Sequence, residues 1–195
     1  YDKANVLKVR LHSLINSNNK IYFDSNEKIS KEEYIRKLFI CDDGTNEVAQ
    51  IVNMNFNYIE DRFAKVLTKI FAKLFFNYAT SLENRATFPI HMIIEEAHRY
   101  VQQDTDTNLI GYNIFDRITK EGRKYGIGLL IVSQRPAELN TTIMSQCNNI
   151  VSLKVTNDRD KSAVAAMLTD SLVGIVEMLP NLDVGECVVV GDAIM

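Results

Sequence analysis

Phe88-Pro89-Ile90-His91-Met92-Ile93-Ile94-Glu95-Glu96-Ala97-His98 runs from an apolar stretch straight into two neighbouring carboxylates. A short, nearly all-apolar run behind a proline reads as a strand buried on both faces. A second such run is Ile127-Gly128-Leu129-Leu130-Ile131-Val132, followed by the polar Ser133-Gln134-Arg135-Pro136. Between the two, residues 111–124 read as a helix broken near Gly122 and Gly126. Strand, helix and strand in this order, with continuous apolar strands, predict a parallel or mostly parallel sheet covered by helices on both faces.

Working outward, residues 59–78 carry Ile59, Phe63, Val66, Leu67, Ile70, Phe71, Leu74, Phe75 and Tyr78 at steps of three and four, the signature of an amphipathic helix. Residues 48–54 read as a strand. Downstream, a short helix is expected over 139–147, a strand over 150–155, helices over 158–168 and 171–179, and a closing strand over 186–190. Residues 1–46 differ from the rest and are expected to be an insertion or helical cap, with 47–195 forming the main domain. In this first segment, residues 6–11 fit either a strand or a frayed helix, and 16–26 read as a polar loop. Ser30-Lys31-Glu32-Glu33 has the form of a capping box, and 41–47 reads as a turn.

The 195 residues are 46% apolar and 24% charged, the balance of a globular protein of one large domain or a domain with an appendage, and not of a disordered or disulfide-stapled chain. With 22 basic and 25 acidic residues the net charge is −3, which argues against a generic basic nucleic-acid coat but leaves room for a local basic stripe. No apolar run spans a bilayer. Cys41, Cys147 and Cys187 match no zinc or redox spacing and are expected to be reduced, mostly buried thiols of a cytoplasmic protein. The chain opens on Tyr1 in mid-pattern, so it is expected to be part of a longer protein.

In open α/β sheets ligands bind beyond the carboxyl ends of the strands, and both apolar runs end in residues able to do chemistry there. Two adjacent carboxylates at the mouth of a buried strand repel each other and need compensation, which a magnesium ion carrying nucleotide phosphates would supply. In that reading Glu95 holds the metal through its water shell and Glu96 aligns the water that attacks the γ-phosphate. Taken alone, capping of the following helix explains the pair better. Gln134 offers donor and acceptor on one amide, suited to a phosphate or an attacking water. Arg135 fits a phosphate contact or an ion pair, and an ordinary loop explains this segment equally well. Arg117, Lys120 and Lys124 share a helical face, and Arg123 stands by the glycines. Their charges suit a helix C-terminus, or an arginine reaching into a neighbouring subunit's site. Glu95-x-x-His98 is half of a di-metal motif, but His12 and His91 complete no second half. None of the eight glycines precedes a lysine, so the chain has no Walker A loop, and Gly126-x-Gly128 is no dinucleotide fingerprint.

Ile93-Ile94-Glu95-Glu96-Ala97-His98-Arg99-Tyr100, Arg117-Ile118 with Glu121-Gly122-Arg123-Lys124-Tyr125-Gly126, and Ser133-Gln134-Arg135-Pro136 together resemble the C-terminal half of HerA-type ATPases. The resemblance continues through Ser145-Gln146-Cys147-Asn148-Asn149, Asn157-Asp158-Arg159-Asp160, Leu179-Pro180-Asn181-Leu182 and Gly185-Glu186. It implies a RecA-like fold, here a partial P-loop NTPase domain, in a hexameric ring related to the FtsK translocases that moves double-stranded DNA with ATP and Mg²⁺. By resemblance Glu95 takes the Walker B metal position, Glu96 the catalytic glutamate, Gln134 the sensor and Arg123 the trans arginine finger, with Arg135 near the nucleotide. Walker B more often carries Asp where Glu95 stands. The absent Walker A is expected upstream of Tyr1, so the 195 residues alone should bind ATP weakly or not at all. The resemblance also implies partners such as a NurA-like nuclease in DNA end processing or, in anti-phage defence, a sirtuin-like effector. A DEAH-type helicase, suggested by Glu95-Glu96-Ala97-His98, and a non-catalytic assembly module are the alternatives. The first would want Ser-Ala-Thr where Ser133-Gln134-Arg135 stands.

Overall fold

The computed structural model describes residues 4–6, 8–9, 12, 29–40, 47, 49–102 and 113–194. The chain divides into two compact units, Tyr1–Asn53 and Met54–Met195.

In the first unit the described residues among 4–12 are helical, which decides between the two expected readings. Helix α1 is Lys31–Leu38, and Ser30 caps it by accepting a hydrogen bond from the Glu33 N–H at 3.1 Å. The predicted loop at 16–26 and nearly all of the predicted turn at 41–47 lie outside the described residues. The strand expected over 48–54 does not form in its described part, 49–54. An extended apolar segment becomes a strand only when a neighbour completes its ladder. Among the described residues, 49–54 show a single backbone bond of this kind, from the Ala49 N–H to the Phe39 carbonyl at 2.7 Å.

In the second unit, α2 (Asp61–Ser81) forms where the periodicity predicts a helix, but its buried face is Phe63, Ala64, Thr68, Ala72, Phe75, Phe76 and Ala79. Of the expected stripe only Phe63 and Phe75 are buried, and Val66 and Ile70 are exposed, because the helix turns its small alanines toward the core. Strand β1 (Ile90–Ile94) leads into a 3₁₀ turn at Ala97–Arg99. Helix α3 (Ile114–Glu121) begins at Asn113, whose side chain accepts from the Phe115 N–H. It tightens into a 3₁₀ turn, Gly122–Tyr125, which ends at Gly126 with φ +77°, a left-handed conformation that favours glycine. The chain then enters β2 (Ile127–Ile131), parallel to β1 with Ile90 opposite Ile127 and Ile94 opposite Ile131. Phe115, wholly buried, and Ile118 pack with Ala64, Ala72, Phe76, Ile94 and Ile127 in the main core.

Burial of these strands on both faces is not what the structure shows. Ile94 and Ile127 are buried, and Met92, Leu129 and Ile131 pack against the core. Ile93 and Leu130, opposite one another in register, are 63% and 55% exposed. Successive side chains point to opposite faces, and the helices of the main core cover one of them.

Beyond β2, α4 is Thr141–Met144, shorter than the expected 139–147; its start is set by Asn140, whose side chain accepts from the N–H groups of Thr142 and Ile143. Strand β3 (Asn149–Ser152) pairs antiparallel with β4 (Val188–Gly191). Helix α5 is Asp158–Ala165. The helix expected over 171–179 is a 3₁₀ run, Asp170–Asn181, containing Gly174 and Pro180, two residues that weaken α-helical bonding. Val164, Val176, Leu179 and Leu182 form a second small core. The architecture is α/β, with one parallel and one antiparallel strand pair among the described residues. Cys187 is exposed, against the expectation of mostly buried thiols, because it lies just ahead of β4 outside both cores. Cys147 is half-buried and burial pushes its thiol up, while Cys41 lies outside the described residues. Among the described residues no helix is long and apolar enough to cross a membrane.

Candidate functional site

The parallel register carries the two polar strand ends to the same place. Beyond the last ladder pair, the Val132 N–H donates to the Ile94 carbonyl at 3.0 Å and the Ala97 N–H donates to the Val132 carbonyl at 3.0 Å. These bonds extend the pairing past both strands, so the residues after Ile94 and after Val132 leave the sheet side by side. Glu96 sits at the turn with φ +49° and ψ +41°, left-handed geometry that costs a non-glycine residue about 1–2 kcal/mol. Such strain persists only where surrounding contacts enforce it, and it gathers at functional sites.

The contacts are polar. Gln134 Nε2 donates to Glu96 Oε1 at 2.9 Å, joining the two predicted strand-end residues directly. The second carboxylate oxygen, Oε2, lies 3.4 Å from His98 Nδ1. That nitrogen is also 3.3 Å from Ser133 Oγ, which accepts the Arg135 N–H at 3.0 Å. Arg99, one residue on, is tied to Asp61 in the first turn of α2, and this hydrogen bond raises its guanidinium pKa further. The acidic turn is therefore fastened to the neighbouring strand end and to α2.

Glu95 is exposed, and among the described residues it makes no hydrogen bond or ion pair. That suits a carboxylate reaching an ion through water, since Mg²⁺ keeps several waters and takes one or two carboxylates plus substrate phosphates. No group of three or more His, Cys, Asp and Glu gathers among the described residues. Arg135 is exposed and pairs with Glu138 at 3.2 Å. An open cleft of about 350 Å³ lies beside this loop, lined by Gln134, Arg135, Glu138, Asn157, Arg159 and Asp160.

Arg123 is not brought to this cluster. It occupies the turn just before β2, at the strand's amino end, whereas Glu96 and Gln134 stand beyond the carboxyl ends of the pair. It is exposed, and among the described residues its side chain makes no hydrogen bond or ion pair. Arg117 and Lys120 bond within their own helix, to Glu121 at 3.5 Å and Asp116 at 3.0 Å, and Arg117 also lies over the Phe76 ring. Sequence reasoning missed the link from Ser133 through His98 to Glu96. A serine and a histidine 35 residues apart carry no periodic signal.

The chain is 35% identical over 136 residues to the DNA double-strand break repair helicase HerA of Pyrococcus furiosus, covering 68% of this chain and 24% of that protein. It is 41% identical over 107 residues to the HerA of Sulfurisphaera tokodaii, covering 55% and 21%. The chain thus spans about a quarter of the length of the curated relatives it matches. Among solved structures, the DNA-packaging ATPase B204 of Sulfolobus turreted icosahedral virus superposes with TM-score 0.52 at 14% identity, over 72% of this chain and 60% of that one. The genome-packaging NTPase B204 of Sulfolobus turreted icosahedral virus 2, in complex with AMPPCP, gives 0.51 at 15% identity, over 63% and 56%. At such identities the likeness shows the fold alone. No protein-family model matches the chain.

Proposed function

This chain is a homologue of the HerA-type helicases, and from that kinship we propose that it is the Walker B and sensor portion of an ATP-driven motor that moves double-stranded DNA. The observation that carries the reading is the bond from Gln134 to Glu96 across two parallel strand ends, with Glu95 exposed beside it. Glu96 takes the proton of the water that attacks the γ-phosphorus as the bond to the leaving oxygen breaks. Gln134 orients that carboxylate and the water. Glu95 would hold Mg²⁺ through water, and Arg135 would contact a phosphate. When bound, Mg²⁺·ATP supplies the transferable phosphoryl group and neutralises its developing charge.

Arg123 acts in trans. It lies at the far end of β2 from its own Glu96, so it serves the site of an adjacent copy, and the working form is a ring, hexameric by family resemblance. The phosphate cradle comes from residues outside this stretch, in keeping with the quarter of each relative that the chain spans. Residues 1–46 form an insertion or cap. The exposed Lys124, repeated around a ring, supplies positive charge for DNA phosphates. The motor works in the cytoplasm, with a nuclease or an NAD-consuming effector as partner.

The test is ATP hydrolysis by the full-length protein with and without duplex DNA. Glu96→Gln should abolish turnover while nucleotide binding persists. Unchanged turnover would reject the assignment.

A further inference from the structure

We propose that His98 is a positioning residue for Glu96, holding one oxygen of its carboxylate while Gln134 holds the other. The inference rests on the reading of Glu96 as the water-activating base and adds to it a second hand on the same group. An ionised carboxylate only accepts hydrogen bonds, so the His98 nitrogen that faces it carries the proton. Nδ1 stands 3.4 Å from Glu96 Oε2 and 3.3 Å from Ser133 Oγ, and in this tautomer its N–H is offered to both. Ser133 Oγ has two lone pairs, one already taken by the Arg135 N–H at 3.0 Å and the second available to His98. The imidazole is therefore seated from behind by the loop that presents Gln134.

The two hands differ in setting. His98 is well enclosed, its side chain 13% exposed, whereas the Glu96 side chain is 43% exposed. The enclosed ring is the fixed member and the carboxylate is the member it aims. Aim matters because the Glu96 backbone is left-handed and relaxes toward ordinary geometry once its restraints are removed. A displacement of about 1 Å at a reacting group costs about 10²-fold in rate. His98 and Ser133 also couple the two strand ends a second time, beside the Gln134 bond, so movement of the Ser133–Arg135 loop is transmitted to the Glu96 carboxylate through both.

The experiment uses the full-length protein, with steady-state MgATP hydrolysis, binding of a fluorescent ATP analogue and thermal unfolding measured for each variant. His98→Ala is expected to lower kcat by about 30- to 100-fold, with KM and analogue affinity within about threefold of the parent. His98→Asn, whose amide nitrogen stands near the position of Nδ1, should restore kcat to within about tenfold. His98→Gln, whose amide stands near Nε2 instead, should not. Ser133→Ala should lower kcat on its own and add nothing to His98→Ala, and it serves as the test if His98→Ala does not fold. Equal losses in the Ala, Asn and Gln variants, tracking lowered thermal stability, would overturn the proposal in favour of a packing role. Unchanged kcat in His98→Ala, alongside a dead Glu96→Gln, would overturn it while leaving the hydrolytic reading standing. An active Glu96→Gln would bring down both.

Discussion

The two ends of β2 are built on opposite plans. At the carboxyl end, Gln134 is hydrogen-bonded to Glu96 and Ser133 to His98, the His98 ring stands 3.4 Å from the Glu96 carboxylate, and the backbone at Glu96 is left-handed. At the amino end, Arg123 and Lys124 stand exposed on a tight turn, and among the described residues their side chains make no hydrogen bond or ion pair. The first plan suits chemistry carried out within one chain, where geometry must be settled before the substrate arrives. The second suits a group meant for another molecule, which a local ion pair would only detain. The glycines make the second plan possible. A Cβ on Gly122 would stand 2.7 Å from the Ile127 carbonyl oxygen, so nothing larger lets the turn lie against β2.

The largest effect should come from the end that looks idle. In the full-length protein Arg123→Ala is expected to cut ATP turnover by about 10³-fold without weakening nucleotide binding. Mixing Arg123→Ala subunits with Glu96→Gln subunits should restore part of the activity, because each supplies what its neighbour lacks. Failure of the mixture to regain turnover would break the division of labour between the two ends.

Gln134→Ala should lower kcat by about 10²-fold with little change in KM, since it removes one donor from the prepared end. Gly126→Ala tests the geometry of the amino end through stability. Its left-handed φ and a Cβ only 3.0 Å from Ala86 Cα should cost about 1–2 kcal/mol, read as a lowered unfolding midpoint. The smallest effect sharpens the contrast from the other side. Lys120→Ala breaks an exposed helical ion pair with Asp116 and should change stability by no more than about 0.5 kcal/mol, leaving turnover intact.

Much of this was legible in the residues themselves. The existence of α2 follows from its spacing, although not which face it buries, and the end of α3 follows from Gly122 and Gly126. The pairing of Glu96 with Gln134 was half legible, because each was visible as a polar residue closing an apolar run. Neither run named its partner. The failed strand at 49–54 and the exposed Ile93 and Leu130 have a common cause. Hydrophobicity states what a segment can bury, whereas ladder partners and covering layers are supplied by other parts of the molecule.

Local order, then, was settled along the chain: which segments wind, where glycine must end them, and which acids close a strand. The left-handed turn at Glu96, the approach of Gln134 and His98 to its carboxylate, and the separation of Arg123 from that cluster were decided only in three dimensions. Helical periodicity and capping act between residues a few positions apart. A hydrogen bond between residues 35 or 38 positions apart exists only once a parallel register has brought two strand ends level.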